Sequence, residues 1–262
     1  MTILERPGRD SRRNLRFACW RFYSYEKAPL FKADWTDLVF HHFNLDPAAL
    51  AEKVPFELDL FEGEAYVSLV GFRTTRMYVN RMGEWTRWFH FPVSHHSFLN
   101  VRTYIKHRGE PGIYFLKEYV NSLPAVPVGR WTYGLPYNYA TISFDHNDPG
   151  EGLLGEVERA EEVYLRYYCD ARPGAAAREC EPDTVEEFLS ERYSAFTCLN
   201  GIKRVFRILH EPWALTALDT SWDETRLLEK DFEWFCRAQP ISSYWTRGVF
   251  DVAISRPRTI AA

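Results

Sequence analysis

The chain has 262 residues, which is enough for one large domain with a substantial core. Apolar residues make up 46% of it and the net charge is −4, so the composition argues against a disordered chain and against a general nucleic-acid-binding surface. The aromatic fraction of 16% favours strands and apolar pockets.

The cysteines and the apolar runs predict a cytoplasmic protein. Five scattered cysteines with no CxxC pair are typical of reduced thiols rather than of a disulfide framework. No apolar run approaches the roughly 18 residues of a spanning helix. The first apolar residues lie among charges, unlike those of a signal peptide. We therefore expect a cytoplasmic location and no membrane partner.

The first half of the chain predicts strands with short connections. The basic start RPGRDSRRNLR predicts a flexible tail over residues 1–15, followed by a single domain over 16–262. Asp46 and Pro47 begin a short helix, and Gly63 supplies a turn. Alternation and β-branched content predict strands over 35–45, 64–79, 98–106 and 113–120, of which the last two form a hairpin.

The second half predicts both element types. Thr184 and Glu187 form a capping box for a helix over 183–196, and Asn200 with Gly201 is a type I′ hairpin turn. Residues 224–238 are compatible with a helix or a strand. The remaining expected elements are a short helix within 121–135 and strands over 137–144, 157–170, 203–210 and 248–254. The order predicts one mixed α+β domain, mainly antiparallel β.

A resemblance covers about residues 35–254. The segments that carry it are, in order, WTDLVFHHF, ELDLFEGEAYVSLVGF, LNVRTYI, GEPGIYFL, GRWTYGLPY, EFLSERY and HEPW. Together they resemble the uncharacterised YqjF-like family, which is distantly related to acetoacetate decarboxylases. The resemblance implies a closed antiparallel β-barrel or cone with a few outer helices. One departure is Phe98, where family members usually have Glu, after a loop remodelled with His95 and His96.

The segment GRWTYGLPYNYA resembles a decarboxylase segment of type GRExxGxPKK, whose paired lysines form a Schiff base. Tyr137 and Asn138 stand in their place here. The seven lysines of the chain are nowhere adjacent, and exposed surface positions are expected for them. The resemblance therefore implies the scaffold and its pocket without the parent chemistry.

Alternation within residues 100–106 defines one polar strand face. Asn100, Arg102, Tyr104 and Lys106 share it, because residues two apart in a strand point the same way. Such a face inside a barrel needs water or a polar ligand. Alternatively, Arg102 forms a buried ion pair with Glu118 or another acid. Both interpretations stay open.

The resemblance adds residues to this face, because the decarboxylase segment borders the active site. We predict that Arg102, Tyr104, Arg130 and Tyr137 approach one cavity. The candidate catalytic residues are Tyr104, Tyr137 and Glu118. The candidate substrate-binding residues are Asn100, Arg102, Arg130, Tyr133, Asn138 and Tyr139.

The histidines predict no metal site. His90, His95 and His96 lie in one loop that could supply two zinc ligands, with a third from His41 or a glutamate. No HExxH supports this arrangement, so scattered surface histidines are expected, although an acid–base role for one of them in the pocket stays open. GxGxxG, GxxxxGK[ST] and GxSxG are absent, and no cofactor is expected.

Two classes of function fit these observations. One is an enzyme, such as a lyase, dehydratase or cyclase, acting on a small carboxylate or carbonyl compound. Arg102 or Arg130 would bind its anion, and Tyr104 or Tyr137 would donate a hydrogen bond or a proton. The other is a non-catalytic protein that binds an apolar or aromatic small molecule. A desolvated acid–base pair in a deep pocket would favour the enzyme. Analogy with the decarboxylases also allows a homo-oligomer.

Overall fold

The computed structural model describes residues 11–25, 28–85 and 95–261. Its helices are α1 Ser11–Tyr25, α2 Pro47–Ala51, α3 Ala125–Tyr133, α4 Val185–Ser190 and α5 Arg226–Asp231, with 3₁₀ turns at Asn80–Met82 and Phe235–Arg237. Its strands are β1 Phe31–Leu45, β2 Glu57–Leu58, β3 Ala65–Val79, β4 His96–His107, β5 Glu110–Val120, β6 Tyr137–Tyr139, β7 Thr141–Asp145, β8 Leu153–Arg159, β9 Glu162–Ala171, β10 Arg178–Glu179, β11 Ser194–Leu199, β12 Ile202–Leu209, β13 Ala214–Glu224, β14 Gln239–Ile254 and β15 Arg258–Thr259. No helix among the described residues is long and apolar enough to span a membrane.

Seven strands form a closed ring. Going round it, β12, β11, β5, β4, β3, β1 and β14 are hydrogen-bonded neighbours, and the pairing of Ile208 with Ile254 joins β14 back to β12. All of these pairings are antiparallel except that of β5 with β11. Strands β13, β9, β8 and β7 continue the sheet outward from β14. The predicted α+β fold, mainly antiparallel with a few helices, is confirmed.

The ring separates two apolar interiors, since successive strand residues point to opposite faces. Phe40 and Val70 face the inside of the ring and belong to one buried cluster. Their neighbours Val39 and Leu69 belong to a second buried cluster on the outside, where β8, β9 and α5 cover the sheet. Helix α3 closes part of the ring interior. The inner cluster therefore surrounds the space in which a ligand site can form.

Local sequence signals position several elements as predicted. The Asp46 carboxylate accepts a hydrogen bond from the amide of Ala48 at 2.8 Å and caps α2. The Thr184 hydroxyl caps α4 by accepting from the Glu187 amide at 3.3 Å. Asn200 and Gly201 have φ values of 52° and 77°, as a type I′ turn between β11 and β12 requires.

Four element predictions were wrong in their bounds. Residues 157–170, predicted as one strand, belong to the hairpin of β8 and β9, which turns at Ala160 and Glu161 with φ values of 51° and 65°. The predicted strand 137–144 is divided into β6 and β7. The predicted helix 183–196 ends at Ser190, and the chain continues into β11. The last strand begins at Gln239, nine residues earlier than predicted.

Two more regions differ from the sequence-based expectation. Helix α1 begins at Ser11, so residues 11–15 of the predicted tail are helical, while residues 1–10 lie outside the described residues. Strand β13 was not predicted at all. In residues 224–238 the helical alternative is the correct one, because α5 and a 3₁₀ turn occupy them.

Candidate functional site

The ring encloses a cavity of about 380 Å³, hereafter the ring cavity. This volume lies in the range of about 300–1,000 Å³ that is typical of small-molecule sites. Strands β1, β3, β4, β5 and β12 and helix α3 all contribute lining side chains. The cavity is thus built by the sheet itself and not by surface loops alone.

Two groups of side chains within the lining differ in character. Neighbouring strands β4 and β5 contribute Asn100, Arg102 and Glu118, which we call the polar wall. Strands β1, β12 and β14 contribute a set of apolar side chains that we call the apolar wall. Its members are Phe31, Trp35, Phe206, Ile208 and Ile254. The cavity can therefore accommodate a ligand with one polar end and an apolar body.

A bulge in β5 brings Glu118 to the ring cavity. Val101 pairs with Lys117 and Arg102 pairs with Phe115, so β5 has one extra residue at this point. An extra residue reverses the alternation of side chains along a strand. For this reason both Phe115 and Glu118 line the cavity, although they are three residues apart.

Glu118 and Asn100 lie directly opposite each other on β5 and β4. Glu118 is only 3% exposed and its Oε2 has no hydrogen-bond partner among the described residues. The buried Oδ1 of Asn100 likewise has none in the described part of the chain. Buried polar atoms normally find partners, so two unpaired polar atoms on facing residues mark this part of the lining as a candidate ligand site.

Burial raises the pKa of Glu118 well above its usual range, and the positive charge of Arg102 opposes this rise. Tyr137, paired with Glu118 across β6 and β5, also lines the cavity. Burial, followed by the proximity of Glu118 and Tyr133, raises the pKa of Tyr137 well above its usual range. Glu118 and Tyr137 therefore favour their neutral forms, in which both can donate hydrogen bonds.

Arg102 forms no ion pair with Glu118. Its Nη2 donates to the backbone oxygen of Leu189 at 3.2 Å, and its buried Nε has no partner within the described residues. None of the ion pairs found within 4.0 Å in that part of the chain includes Arg102. The predicted alternative, a satisfied buried ion pair, is thus wrong, and the guanidinium is available to an anion in the cavity.

Tyr104 lies beyond the cavity lining, although it shares the strand face of Arg102. Its hydroxyl donates to the Leu189 oxygen at 2.8 Å and lies 2.6 Å from the Ser68 hydroxyl, which is 2.6 Å from Nδ1 of His42. A carbonyl only accepts, so Ser68 donates to Tyr104 and His42 donates to Ser68. Tyr104 therefore fixes the same Leu189 carbonyl that Arg102 contacts and does not reach a ligand.

Three further candidates also lie outside the lining. Arg130 is exposed on the outer side of α3, whereas Gly129 and Tyr133 of the same helix line the cavity. Asn138 donates to the backbone oxygen of Pro136 at 2.9 Å, and Tyr139 is 46% exposed. The prediction that Arg130 approaches the cavity was wrong, because the 3.6-residue helical period turns it away from Gly129.

Gly129 has a clear steric role in this motif. A Cβ atom at this position would overlap the ring of Tyr137. The glycine therefore allows Tyr137 to pack directly against the backbone of α3. Tyr133 is fixed separately, through donation from its hydroxyl to the Ser255 backbone oxygen at 2.9 Å. Of the nine candidate residues, those in the lining are Asn100, Arg102, Glu118, Tyr133 and Tyr137.

Sequence reasoning missed several lining residues, of which Arg192 and His210 are the most informative. Arg192 forms a buried ion pair with Asp59 at 2.8 Å, so its charge is already compensated. Nδ1 of His210 lies 2.7 Å from the Glu211 backbone oxygen and must donate to it. Burial lowers the pKa of His210 to about 4. Its segment HEPW carried the resemblance, but nothing in the sequence indicated that this histidine was buried.

The prediction of surface histidines was wrong for most of the described ones. The buried histidines are His41, His42, His96, His146 and His210, whereas His95 is exposed. Burial lowers the pKa of His42 and of His146 to about 3. His90 lies outside the described residues. Within residues 11–25, 28–85 and 95–261, no group of three or more His, Cys, Asp or Glu side chains could hold a metal ion.

Known structures share this fold. An acetoacetate decarboxylase-like enzyme from Sphingomonas wittichii RW1 has a TM-score of 0.66 at 11% identity, over 90% of this chain and 94% of that enzyme. The enduracididine biosynthesis enzyme MppR, complexed with pyruvate, has a TM-score of 0.64 at 12% identity, over 89% of this chain and 91% of MppR. The chain thus has an acetoacetate decarboxylase-like fold.

The family can be stated more narrowly. The chain belongs to the DUF2071 family of uncharacterized conserved proteins, whose family model matches residues 32–248. It is 29% identical over 188 residues to the uncharacterized protein YqjF of Bacillus subtilis (strain 168), which covers 71% of this chain and 75% of YqjF. The predicted resemblance to the YqjF-like family is confirmed.

Proposed function

We propose that this protein is an enzyme of the lyase, dehydratase or cyclase type that acts on a small carboxylate or carbonyl compound in the ring cavity. One observation carries the proposal. Asn100, Arg102 and Glu118 meet on two neighbouring strands of a largely apolar cavity, and each has a buried polar atom without a partner among the described residues. Convergent polar groups of this kind in an apolar cavity are typical of an active site.

The polar wall assigns a role to each side chain. Arg102 binds a carboxylate or a developing negative charge, for which its guanidinium has the right donor geometry. Glu118, kept neutral by burial, donates its proton to a substrate oxygen, as dehydration or carbonyl addition requires. Asn100 and Tyr137 orient that oxygen by hydrogen bonding. A general acid of this kind contributes about 10²–10⁴-fold to a rate.

The proposed chemistry does not use a lysine imine. Tyr137 and Asn138 replace the lysine pair of the decarboxylase motif, and no lysine is among the described residues that line the cavity. The fold neighbour MppR binds pyruvate, which supports a carboxylate ligand for this scaffold. We expect borohydride treatment with a β-keto acid to leave no covalent adduct on the protein, as measured by intact mass. An adduct on any lysine would contradict this part of the proposal.

The second candidate function is non-catalytic binding of an apolar or aromatic molecule. The apolar wall favours this function, because a bound apolar ligand would cover those side chains and no chemical step is needed for that. The buried acid of the polar wall favours the enzyme, since an apolar ligand would leave Glu118 and Arg102 without partners.

Native mass spectrometry of freshly purified full-length protein distinguishes the two functions. A retained carboxylate or carbonyl compound, consumed by the wild type and not by Glu118→Gln, is the expected result. The matched control is Glu151→Gln in an exposed loop, which should retain full turnover. A retained ligand that leaves the protein unchanged, with equal behaviour of Glu118→Gln and wild type, would favour the binding protein instead.

A further inference from the structure

The positions of the two walls define the shape of the ligand. Going round the ring, β4 and β5 are separated from β12, β14 and β1, the strands of the apolar wall, by β11 on one side and by β3 on the other. The polar wall therefore faces the apolar wall across the ring cavity. A ligand that satisfies both must be polar at one end and apolar along the rest of its length.

The number of unpaired charges in the lining indicates how many ionised groups the ligand carries. Arg192 is compensated by Asp59, with both side chains less than 10% exposed, and Asp59 also binds Lys106 at 2.7 Å. Glu118 favours its neutral form because it is buried. Among the described lining residues this leaves Arg102 as the cation without a carboxylate within 4.0 Å. One anionic group on the ligand would balance it.

We propose that the ring cavity takes a monocarboxylate with an apolar body of ring or chain size, and this inference rests on the proposed function. The carboxylate binds Arg102 and the body packs against Phe31, Phe206 and Ile254 of the apolar wall. A small polar acid such as pyruvate would leave that wall in contact with water. An apolar body removes its own surface and that of the wall from water, and each buried methylene is worth about a fourfold gain in affinity.

The test is a calorimetric titration of the full chain with four probes: 3-phenylpropanoate, 3-phenylpropanamide, propanoate and pyruvate. We expect 3-phenylpropanoate to bind at least tenfold more tightly than propanoate or pyruvate, because it alone among the three acids reaches the apolar wall with a ring. We also expect it to bind at least tenfold more tightly than its amide, which lacks the charge that Arg102 recognises.

Variants of two arginines test whether Arg102 recognises the charge of the ligand. Arg102→Gln should remove the preference for the acid over the amide and leave the affinity for the amide within about twofold. Arg130→Gln is the matched control, because Arg130 is exposed and lies outside the lining, and it should change neither affinity. If Arg102→Gln does not fold, the four wild-type affinities still decide, since the acid and the amide share the same ring and chain and differ only in the head group, which is anionic in the acid and neutral in the amide.

Each contrary outcome has a distinct meaning. Equal affinity for pyruvate and 3-phenylpropanoate would contradict the inference that the ligand has an apolar body. If the binding of both acids still depended on Arg102, the proposed function would survive. Equal affinity for the acid and the amide would overturn the single anionic group. Failure of all four probes to bind would overturn the inference, and the proposed function fails separately if neither carboxylates nor carbonyl compounds bind in an Arg102-dependent way.

Discussion

The ring cavity and the outer apolar cluster treat polar side chains differently, as three consecutive residues of β5 show. Lys117 and Tyr119 point to the outer interior, where both donate to the carboxylate of Asp231, Tyr119 at 2.5 Å. Glu118, between them, points into the ring cavity, and its Oε2 has no partner among the described residues. This short stretch of strand thus carries polar side chains on both faces. The two outer ones are hydrogen-bonded within the chain, and the inner one has an oxygen without a partner among the described residues.

The outer carboxylate is a structural centre. Tyr164 donates to Asp231 at 2.8 Å and Arg159 lies 3.3 Å from it, so four donors meet on one side chain of α5. Burial raises the pKa of Asp231, but the hydrogen bonds from Lys117, Tyr119 and Tyr164 outweigh it and lower the pKa. A partly buried group whose partners are all supplied by the chain holds the fold together, whereas a buried group that lacks partners is a candidate contact for a ligand.

Among the acidic residues, Asp231 should give the largest effect when it is removed. Asp231→Ala leaves Lys117, Tyr119 and Tyr164 without their acceptor, and we expect the free energy of unfolding to fall by about 3 kcal/mol. That is the low end for a broken buried pair, because the side chains of Lys117 and Asp231 are 20% and 22% exposed. Urea unfolding at neutral pH measures the loss.

The control for this prediction is Asp223→Ala. Asp223 forms an ion pair with Arg166 at 3.1 Å but is 51% exposed, so its loss should change stability by less than about 0.5 kcal/mol. Binding in the ring cavity should stay unchanged in both variants. A loss below 1 kcal/mol for Asp231→Ala would show that the outer centre is no more structural than a surface ion pair.

The buried carboxyl group of Glu118 should make the free energy of unfolding depend on pH. The pKa of Glu118 is raised by burial in the folded state and is about 4.3 in the unfolded chain. Between these two values the unfolded chain loses its proton while the folded one keeps it. Stability is therefore fully present below the unfolded pKa and falls as pH rises, by about 1.4 kcal/mol per pH unit, until the folded pKa is reached.

Glu118→Gln removes this titration and keeps the shape of the side chain. We expect the variant to gain stability relative to the wild type as pH rises from 5 to 7, measured by urea unfolding at each pH. The same experiment with Glu151→Gln, at an exposed position, should give a difference that does not change with pH. A pH-independent difference for Glu118→Gln would show that Glu118 is ionised in the folded protein.

The sequence was sufficient wherever the determining pattern is local. Alternation along β4 correctly placed Asn100 and Arg102 on one face, because a regular strand keeps its period of two. The caps Asp46 and Thr184 and the Asn200–Gly201 turn were recognisable because each depends on a few adjacent residues. The resemblance supplied the rest of the fold, which local pattern alone could not.

The sequence was insufficient where tertiary structure decides. The bulge that directs Glu118 inward depends on how β5 pairs with β4, and Ala160–Glu161 forms a tight turn without the usual Gly or Asn. The orientation of α3 decides that Gly129 lines the cavity and Arg130 does not. The burial of His210 depends on packing against Tyr193 and Trp213, and the sequence does not show that these three rings meet.

Of the residues that line the ring cavity, Arg102 should give only a small loss of stability when it is replaced by alanine. Arg102 has no acid partner within 4.0 Å, so its removal leaves no buried charge unpaired in the described part of the chain. Its bond to the Leu189 oxygen is lost, but Tyr104 still donates to that oxygen. We therefore expect a loss of about 1 kcal/mol in urea unfolding, together with a much larger loss of anion binding.

Arg192→Ala is the matched comparison, because Arg192 lines the same cavity but is paired with buried Asp59. Its removal leaves that carboxylate with Lys106 alone, and the expected loss of stability is about 3 kcal/mol. If the two arginine variants lost equal stability, Arg102 would be a structural residue like Arg192. The difference of about 2 kcal/mol is what distinguishes a guanidinium committed to the fold from one available to a ligand.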